Sequence, residues 1–479
     1  MSDPQPPVSR RSLLGGSLGL LALGALPVLA ACDPRSSAAP PVVAPSTGTP
    51  TITAPPVAAA PPLGAGLQVL PVSVIRAKVR VADAPDLPAV VDGMRSFGAH
   101  LHAAAASSTA NWTASPLSIV VASGMLRAGS LGRTATQIDT VFGFPSSAVP
   151  AGSPHAALNA LTAALVTTRP VSTARAHDSS DGEQPRPIVA MANGLFPAIA
   201  EVARIEPAFL QLLAAQYGTS VTPVDYTKSS AEKQLNEWVA DQTRGRIKKL
   251  FDEIDPSTAL VIANAVYFKG AWSSTFEKSE TVSRAFTTPS GRVTAHTMAQ
   301  SFESATYGHG ADWQRVSLPY AREQLEMRVV LPRAVVGDVA TLTRMVGVAM
   351  ASNTGDDLRS VDVRLPRWDT GTSIDLTQVL TKLGMTDAFD PARANLNGIE
   401  NGAGLYVDQA IHRANITVDE AGTEAAAVTA YGAVAMSAES SVPPPIDFYV
   451  DRPFAWAIVH RATGTPLFAG HVVDPTATA

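Results

Sequence analysis

Helical and strand-like sequence patterns follow one another in a clear order along this 479-residue chain, and that order limits the possible folds. Between residues 87 and 242 the apolar residues recur mainly at helical spacing, whereas from Leu260 onward they alternate or run together as in strands. Only residues 375–383 return to a helical pattern. Helices first and strands later indicate an α+β fold. Because we find neither an internal repeat nor an internal linker, residues 75–479 are predicted to form one domain.

Individual segments can be assigned from their start signals and spacing. Ser115 followed by Pro116 is a typical helix start, a capping hydroxyl and then a proline in the first turn, and the apolar pattern continues to residue 128. The other predicted helices span residues 87–106, 133–142, 155–168, 205–217 and 231–242. Strands are predicted at residues 74–81, 262–268, 313–318, 325–331, 361–365, 406–418 and at three places nearer the carboxyl end.

Residues 1–32 have the features of an export signal and are not expected to be part of the folded domain. Arg10 and Arg11 precede an apolar stretch that ends in small residues at Cys32, which resembles a twin-arginine signal with a lipobox. Cleavage before Cys32 leaves a cysteine that carries acyl chains, so we expect an extracytoplasmic protein anchored to the bacterial cell membrane, with later release left open. An uncleaved signal anchor or a free thiol is the alternative. Since Cys32 is the only cysteine, no disulfide forms within the chain.

Residues 33–74 are predicted to be a flexible tether rich in Pro, Ala and Thr. Nine prolines lie between Pro34 and Pro62, and no residue from Ser36 to Ile75 is charged. Such a composition cannot bury a core. At about 3.1 Å per residue, roughly thirty extended residues hold a domain on the order of 90 Å from its anchor. Presenting the domain to large partners and crossing a cell wall explain that length equally well.

Composition and missing motifs exclude several functions. Apolar residues make up 46% of the chain, which is ample for a large core, and a net charge of −5 provides no basic surface for nucleic acid. No metal or cofactor site is predicted, because the chain has no His-Glu-x-x-His motif and no phosphate-binding glycine loop. A Gly-x-Ser-x-Gly match at residues 15–19 lies inside the export signal, and Ser230 and Lys233 lack the motifs that complete a Ser-x-x-Lys site. The sequence therefore does not favour an enzyme.

Residues 420–430 form a run of small side chains directly after the alternating apolar stretch at residues 405–418. The run reads Glu-Ala-Gly-Thr-Glu-Ala-Ala-Ala-Val-Thr-Ala. Taken alone, it fits an Ala-rich helix or a disordered tether. It equally suits a segment that is first exposed and then slides into a packed sheet as a new strand. A large or charged residue near the start would block such an insertion.

Five separated blocks resemble the serpin family and occur in that family's order. The most specific is NAVYFKGAW at residues 264–272, which is similar to the family's Asn-x-x-x-Phe-Lys-Gly-x-Trp stretch. The others are NWTASPLSI at 111–119, residues 407–419 before the small-residue run, DRPF at 451–454 and GTPLFAG at 464–470. The resemblance implies the serpin fold: one domain with a large mixed β-sheet, further smaller sheets, a helical cluster and an exposed reactive loop at about residues 420–445.

The resemblance also implies roles for individual residues. Four polar residues match the cluster beneath the central strands, where the sheet must part: Ser115, Ser118, Asn264 and His412. Hydrogen bonds there can be exchanged between two states, and His412 is expected to be a structural partner and not a base. Trp272 is expected to pack where the loop enters the sheet, although ordinary core packing fits it equally. Arg367 is expected to pair with Glu420 at the same place, for positioning more than for stability.

The small-residue run matches the hinge of a reactive loop, which comprises Glu420, Gly422, Thr423, Glu424, Ala425, Ala426 and Ala427. Inhibitors of this family place the cleaved bond a fixed distance after the hinge. Counting Gly422 as the first residue, the fifteenth is Met436, which gives a scissile bond at Met436–Ser437. The segment from there to Phe454 is long, so Ala435, Ser437 and Ala438 stay as alternatives. Methionine is long, unbranched and uncharged, which suits chymotrypsin-, elastase- or subtilisin-like serine proteases.

The resemblance implies a monomeric suicide-substrate inhibitor that has no catalytic groups of its own. It would trap a target serine protease as a covalent acyl complex by loop insertion. Proteases of the cell's own envelope and those of competitors or hosts both fit as targets. The competing hypothesis is a non-inhibitory serpin that acts as a cell-surface binding or structural protein. Lost inhibitors tend to have bulky, charged or proline residues at hinge positions where this chain has Thr423, Ala425, Ala426 and Ala427, and these small residues favour the inhibitor.

Overall fold

The computed structural model describes residues 70–478 except residues 71, 73, 146–153, 167–185, 244, 246, 353–354, 403 and 424–443. The chain divides into two units, Met1–Pro56 and Val57–Ala479, and all described residues belong to the second. The α-helices described are α1 (Leu87–Ala105), α2 (Pro116–Arg127), α3 (Gly132–Phe142), α4 (His155–Leu165), α5 (Pro207–Leu212), α6 (Ala231–Gln242), α7 (Val339–Met350) and α8 (Leu376–Lys382).

The strands fall into two sheets. In chain order they are β1 (Trp112–Ala114), β2 (Ile188–Pro197), β3 (Leu260–Ala271), β4 (Val282–Thr288), β5 (Gly291–His309), β6 (Trp313–Pro319), β7 (Leu325–Pro332), β8 (Asp357–Pro366), β9 (Trp368–Asp375), β10 (Gln409–Asp419), β11 (Gly422–Thr423), β12 (Ile446–Tyr449), β13 (Phe454–His460) and β14 (Pro466–Val472). Short 3-10 turns lie at Val81–Asp83, Ile199–Arg204, Lys278–Glu280 and Asp387–Phe389, and a π-helical turn lies at Leu213–Tyr217.

A five-stranded sheet with the order β2-β3-β11-β10-β9 contains the start of the small-residue run. Strand β10 is antiparallel to β9 and parallel to β3, and it pairs directly with β3 from Gln409 to Ala414. Beyond Ala414 the two strands part. Strand β11 lies between them there and is antiparallel to both. The sheet is thus closed along one part of the β3–β10 line and already holds a short inserted strand at one end.

The second sheet has nine strands, in the order β1-β14-β13-β7-β6-β5-β8-β12, with β4 paired to β5. Every residue of β7 and β14 is buried, and α1 and α7 pack against this part of the sheet. The five-stranded sheet packs on it as well: Trp368 of β9 lies 6.2 Å from Trp456 of β13 between ring centroids, and Phe268 of β3 lies 6.2 Å from Phe468 of β14. Covering on both faces explains why most residues of β7 and β14 are apolar.

Helix α2 lies between the two sheets, where it contacts β14 on one side and β2 and β3 on the other. Its residues from Pro116 to Leu126 are all buried, as expected of a helix that is apolar around its whole circumference. The Ser115 hydroxyl caps the helix by accepting from the backbone N–H of Ser118 at 3.2 Å. Helix α6 covers the other face of the five-stranded sheet, where Leu235 and Trp238 pack in one cluster with Val261 of β3.

The α+β class is confirmed, and the predicted helices at α1, α2, α3 and α6 end within a few residues of their expected bounds. The strand predicted at residues 74–81 is wrong. That segment is held by isolated bonds rather than a ladder: Ala77 N–H donates to the Ala215 carbonyl at 2.7 Å, and the Arg76 guanidinium donates to Thr162 Oγ1 at 2.5 Å. The helix predicted at residues 205–217 is also shorter than expected, because only α5 is α-helical and a π-helical turn follows it.

Several elements do not follow from the sequence pattern: β2, β4, β5, β9 and α7. Strands β4 and β5 pair as a hairpin in which exposed, half-buried and buried residues are mixed, so their apolar alternation is weak. Helix α7 is a second late helix, where only residues 375–383 were expected to interrupt the strands. Its sequence is rich in β-branched residues. Two contacts support the helix there. It packs against β13 and β7, and the Thr341 N–H donates to the capping Asp338 carboxylate at 2.7 Å.

Candidate functional site

Strand β11 places Gly422 and Thr423, the third and fourth residues of the small-residue run, inside the five-stranded sheet. Gly422 and Thr423 pair with the end of β10 on one side and with the end of β3 on the other. Thr423 is fully buried. Gly422 has a φ of 143°, and a Cβ atom there would lie 2.1 Å from the Gly270 carbonyl oxygen. Only glycine satisfies both conditions, so the residue type at 422 is fixed by the insertion of the strand.

A tight reversal at Asp419, Glu420 and Ala421 turns the chain from β10 into β11. The Asp419 Oδ1 atom accepts from the backbone N–H groups of Ala421 at 2.9 Å and Gly422 at 3.2 Å, a local bonding pattern that suits aspartate to turns. The N–H of Trp272 donates to the Ala421 carbonyl at 3.0 Å, and the N–H of Phe276 donates to the Glu420 carbonyl at 3.0 Å. The first two bonds stabilise the reversal itself, and the last two hold it against the segment that follows β3.

Trp272 lies where the small-residue run enters the sheet. Its Nε1–H donates to the Asp419 carbonyl at 3.0 Å, and its ring stacks on Tyr320 with centroids 4.7 Å apart and an interplanar angle of 12°. The Tyr320 hydroxyl in turn bonds with the Thr423 hydroxyl at 2.7 Å. Both rings are almost completely buried. An aromatic pair therefore contacts the chain on both sides of the reversal.

The carboxylate of Glu420 is buried beside the same reversal, with its side chain 6% exposed. The Thr281 hydroxyl donates to Glu420 Oε1 at 2.8 Å. The Arg367 guanidinium, which is 50% exposed, lies 3.6 Å from the same oxygen. The structure thus brings Glu420 and Arg367 together, but the shorter contact belongs to Thr281. An ion pair with one exposed partner is worth about 1 kcal/mol or less.

The four polar residues assigned to the sheet-opening cluster are all buried and lie together beneath β3 and β10. Asn264 of β3 and His412 of β10 are opposite each other in the parallel register, and a hydrogen bond joins Asn264 Oδ1 to His412 Nδ1. Asn264 Nδ2 donates to the Ser118 hydroxyl at 2.6 Å and to the Ser118 carbonyl at 2.8 Å. The Ser115 N–H donates to His412 Nε2 at 3.1 Å. The Ser115 hydroxyl donates to the Leu467 carbonyl of β14 at 2.6 Å.

The protonation state of His412 follows from these partners. A backbone N–H can only donate, so Nε2 accepts from Ser115 and the ring proton resides on Nδ1, from which it is donated to Asn264. Burial lowers the pKa of His412 to about 3, so the ring is neutral near pH 7. The cluster therefore joins β3 to β10 by uncharged hydrogen bonds along the line where the two strands would separate.

Other residues of the site do not follow from the sequence analysis. Tyr320 and Thr281 complete the contacts at the reversal, and Asn193 of β2 accepts from Asn264 Nδ2. Asn193 is a polar residue in the apolar run Ile188–Pro197 and is paired in register with Asn264, so a search for polar residues within apolar runs would have found it. Tyr320 carries no such signal, because an aromatic residue after a strand is ordinary.

The remaining predicted site residues lie outside the described residues: Glu424, Ala425, Ala426, Ala427, Met436 and Ser437 of the loop, and Cys32 of the export signal. Within the described part of the chain, no helix combines the length and the apolar character needed to cross a bilayer. The same part contains no group of three or more His, Cys, Asp or Glu side chains that could hold a metal ion.

Comparisons with known proteins give the same family in sequence and in structure. A family model described as serpin (serine protease inhibitor) matches residues 92–475. Chicken neuroserpin is 31% identical over 375 residues, which cover 76% of this chain and 85% of that protein. Rat leukocyte elastase inhibitor A is 28% identical over 382 residues, with 77% and 94% covered. An uncharacterized serpin-like protein of Thermococcus kodakarensis is 36% identical over 271 residues, which cover 56% of this chain and only 62% of that protein.

Two solved structures share the fold. Uncleaved ovalbumin superimposes with a TM-score of 0.67 at 27% identity, covering 81% of this chain and all of the other. Tengpin, a thermophilic serpin in its native state, superimposes with a TM-score of 0.66 at 23% identity, covering 85% of this chain and 97% of the other. With the family model matching most of its length, this chain is a member of the serpin family, whose members are mostly protease inhibitors rather than enzymes.

Proposed function

We propose that this serpin is a suicide-substrate inhibitor of chymotrypsin-, elastase- or subtilisin-like serine proteases, with its scissile bond at Met436–Ser437. The observation that carries the proposal is the position of β11. Gly422 and Thr423 already occupy the gap between β3 and β10, and the next residues are Glu424 and three alanines. Apart from Glu424, the chain continues in small side chains, which can extend a strand already started without enlarging the gap for bulky groups.

The arrangement of β3 and β10 supports a large driving force for insertion. The two strands now pair in parallel with each other through Gln409–Ala414. An inserted strand runs antiparallel to both, as β11 does, so one parallel ladder is replaced by two antiparallel ladders. At roughly 1 kcal/mol net for each new backbone hydrogen bond, a dozen inserted residues release on the order of 10 kcal/mol.

The reaction proceeds through the protease's own chemistry. Its catalytic serine attacks the carbonyl carbon of Met436, the Met436–Ser437 bond breaks, and Ser437 leaves with a free amino group while Met436 remains as an ester on the enzyme. The freed loop then extends β11 along the β3–β10 line and carries the ester-linked protease away. Distortion of the protease prevents water from completing the hydrolysis.

The buried cluster controls the step at which the strands separate. The hydrogen bond from His412 to Asn264 crosses directly from β10 to β3, so an entering strand has to break it. Ser115 and Ser118 lie on the helix side and offer both residues other partners while they separate. Exchangeable hydrogen bonds permit two states of the sheet, whereas an apolar contact would favour a single packing.

We further propose that the protein acts as a monomer outside the cytoplasm, anchored through acyl chains on Cys32. The support is the twin-arginine pattern, the small residues before the only cysteine and the proline-rich segment that follows. Labelling cells with a fatty-acid probe tests this part: the native protein should take up label and fractionate with membranes, and a Cys32→Ser variant should do neither. A labelled Cys32→Ser variant would contradict the anchor.

Mixing the Cys32→Ser protein with chymotrypsin, elastase and subtilisin tests the inhibitor. We expect a covalent complex that survives boiling in detergent, and a released carboxyl-terminal peptide that begins at Ser437 or within two residues of it. A Thr423→Arg variant should be cleaved without forming the complex, because arginine cannot enter the buried position. A Thr294→Arg variant adds the same charge at an exposed site and should form the complex normally.

The alternative is a non-inhibitory serpin that serves as a cell-surface binding or structural protein. That function predicts ordinary cleavage by all three proteases, no stable complex and no difference between Thr423→Arg and Thr294→Arg. The two hypotheses are therefore separated by the same set of reactions.

A further inference from the structure

A chain of hydrogen bonds links two buried histidines far from the reactive loop in sequence. The Thr343 hydroxyl of α7 bonds with His102 Nδ1 of α1 at 2.7 Å. His102 Nε2 bonds with His471 Nδ1 of β14 at 2.7 Å, and His471 Nε2 bonds with the Ala110 carbonyl at 2.9 Å. Both histidines are fully buried. We call these two side chains the histidine pair.

The last acceptor fixes where every proton lies. A carbonyl oxygen only accepts, so His471 Nε2 donates to Ala110 and His471 Nδ1 has to accept from His102 Nε2–H. His102 Nδ1 then accepts from the Thr343 hydroxyl. Both rings are neutral in this arrangement. A first additional proton can bind only to His102 Nδ1, which would then donate to the Thr343 hydroxyl oxygen. A second proton would have to bind to His471 Nδ1, and this would break the hydrogen bond between the two rings.

In the described part of the chain, no acidic side chain lies where it could compensate a positive charge on the histidine pair. On α7, Arg344 is turned toward Asp312, and at the end of β14 the Asp474 carboxylate accepts from Thr476. On α1, Arg95 and Asp92 pair with each other two turns away from His102. Trp112 of β1 meets His102 edge-on at 4.8 Å, and the β13 residues opposite His471 are apolar.

The pKa values agree with this geometry. Burial, and secondarily the charge of His471, lowers the pKa of His102 to about 3. Burial lowers the pKa of His471 to about 4, although the carbonyls of Ala110 and Ser107 act in the opposite direction. An imidazole that reaches water has a pKa near 6.5. Acid therefore favours any conformation in which the pair is opened to solvent.

The histidine pair shares two chain segments with the sheet-opening cluster. His471 holds Ala110, and five residues later Ser115 donates its N–H to His412. The Ser115 hydroxyl is bound by the Leu467 carbonyl, four residues before His471 on the same strand. Between these anchors, β1 pairs with β14 from Trp112 to Ala114. The position of Ser115 thus depends on segments 110–115 and 467–471, and the histidine pair fastens the outer end of both.

We propose that His102 and His471 are positioning residues for the sheet-opening cluster and act as an acid-sensitive latch, so that protonation of the pair releases residues 106–115 and promotes opening of the five-stranded sheet. This inference rests on the proposed function for its consequence, the loss of inhibitor by premature loop insertion. The latch itself is a property of the folded chain and can be measured without any protease.

Hydrogen exchange of the amides of residues 106–115 tests the latch on the full chain, with α6 as an internal reference and with rates corrected for the intrinsic effect of pH. Between pH 7.5 and pH 5.0 we expect the opening of this segment to rise about 30-fold for each histidine that reaches water. The opening of the reference helix should rise less, because it responds to the general loss of stability in acid and not to release of residues 106–115. An unchanged opening of residues 106–115 in the unmodified protein would overturn the proposal, whatever the variants do.

Substitutions then assign the effect to the pair. In a His102→Gln, His471→Gln double variant the rise of residues 106–115 between pH 7.5 and pH 5.0 should fall to that of the reference helix. His155→Gln removes another buried histidine, hydrogen-bonded to Tyr217 at 2.7 Å, and should leave the rise intact. Loss of the rise in His155→Gln as well, or its persistence in the double variant, contradicts the assignment.

The consequence for inhibition is a separate readout. After incubation at pH 5.0 and return to pH 7.5, the unmodified protein should have lost more complex-forming capacity than the double variant. A protein that forms no complex even before acid treatment refutes the proposed inhibitor and leaves the exchange result to decide the latch. A protein that forms the complex but shows no acid-dependent opening refutes the latch alone.

Discussion

The hydroxyl oxygens of Thr423 and Tyr320 lie 2.7 Å apart, and this hydrogen bond joins the second residue of β11 to the aromatic pair at the end of β3. Tyr320 is stacked on Trp272, whose indole N–H holds the Asp419 carbonyl on the other side of the reversal. The chain is therefore held on both sides of the reversal. In the proposed mechanism, residues 422 and 423 are the seed of the inserted strand.

Replacing Tyr320 with phenylalanine should destabilise the intact protein by about 1–2 kcal/mol, because the Thr423 hydroxyl is left buried without its partner. Urea unfolding at neutral pH measures the change. Tyr307→Phe is the matched control, since its hydroxyl makes a longer bond of 3.3 Å to Gln314 in a partly buried position. Equal losses in the two variants would show that the bond to Thr423 has no special weight.

Gly422→Ala should expel the seed strand from the sheet, because a Cβ atom there would lie 2.1 Å from the Gly270 carbonyl oxygen. We expect slower complex formation and faster hydrogen exchange at the ends of β3 and β10. Gly291→Ala separates steric conflict from backbone strain, since Gly291 has a similar φ of 145° and a Cβ atom there would meet no other atom within 4 Å. If both alanine variants behave alike, strain and not the close approach to Gly270 decides the outcome.

The stability of the intact protein should fall in acid because of His412. Its pKa is lowered to about 3 in the folded protein, against about 6.5 when unfolded, so the neutral ring is favoured by folding. The stabilisation is complete above pH 6.5 and is lost between pH 6.5 and pH 3 at about 1.4 kcal/mol per pH unit. His412→Gln should reduce the slope of unfolding free energy against pH by about that amount, and the exposed control His309→Gln should not change it.

At the buried carboxylate, Thr281 should matter more than Arg367. Thr281→Val removes the 2.8 Å hydrogen bond to Glu420 and should cost about 1–2 kcal/mol, since the acceptor is charged and buried. Arg367→Gln removes a half-exposed partner at 3.6 Å and should cost less than about 1 kcal/mol. This loss of stability should disappear in high salt, which screens the ion pair. The reverse ranking would mean that the ion pair, and not the hydroxyl, holds the reversal.

The sequence carries much of the fold because its strongest signals are local. Ser115 and Pro116 mark the start of α2, and the continuous apolar segment around Asn264 marks β3, so both elements can be predicted without knowing their neighbours. Helix α7 and the exposed hairpin of β4 and β5 could not be predicted in this way. Their conformations depend on packing and pairing with residues distant in the chain.

The candidate site also combines residues that the sequence identifies with groups that only folding brings together. The block that contains Asn264 and the residues around His412 lie in segments whose order resembles the family, so their assignment needed no structure. Tyr320, Thr281 and the Leu467 carbonyl are brought to the site only by folding. A backbone carbonyl has no side-chain identity, and thus no sequence pattern could have assigned its role.

The proposed mechanism requires the loop after Thr423 to continue β11 between β3 and β10 once it is cleaved. The most direct measurement compares the thermal and urea stability of the intact protein with that of the protein cleaved at Met436–Ser437. Insertion predicts a large increase in both midpoints, in line with a release on the order of 10 kcal/mol from a dozen new strand residues. Midpoints that stay the same or fall after cleavage would contradict insertion of the loop between β3 and β10.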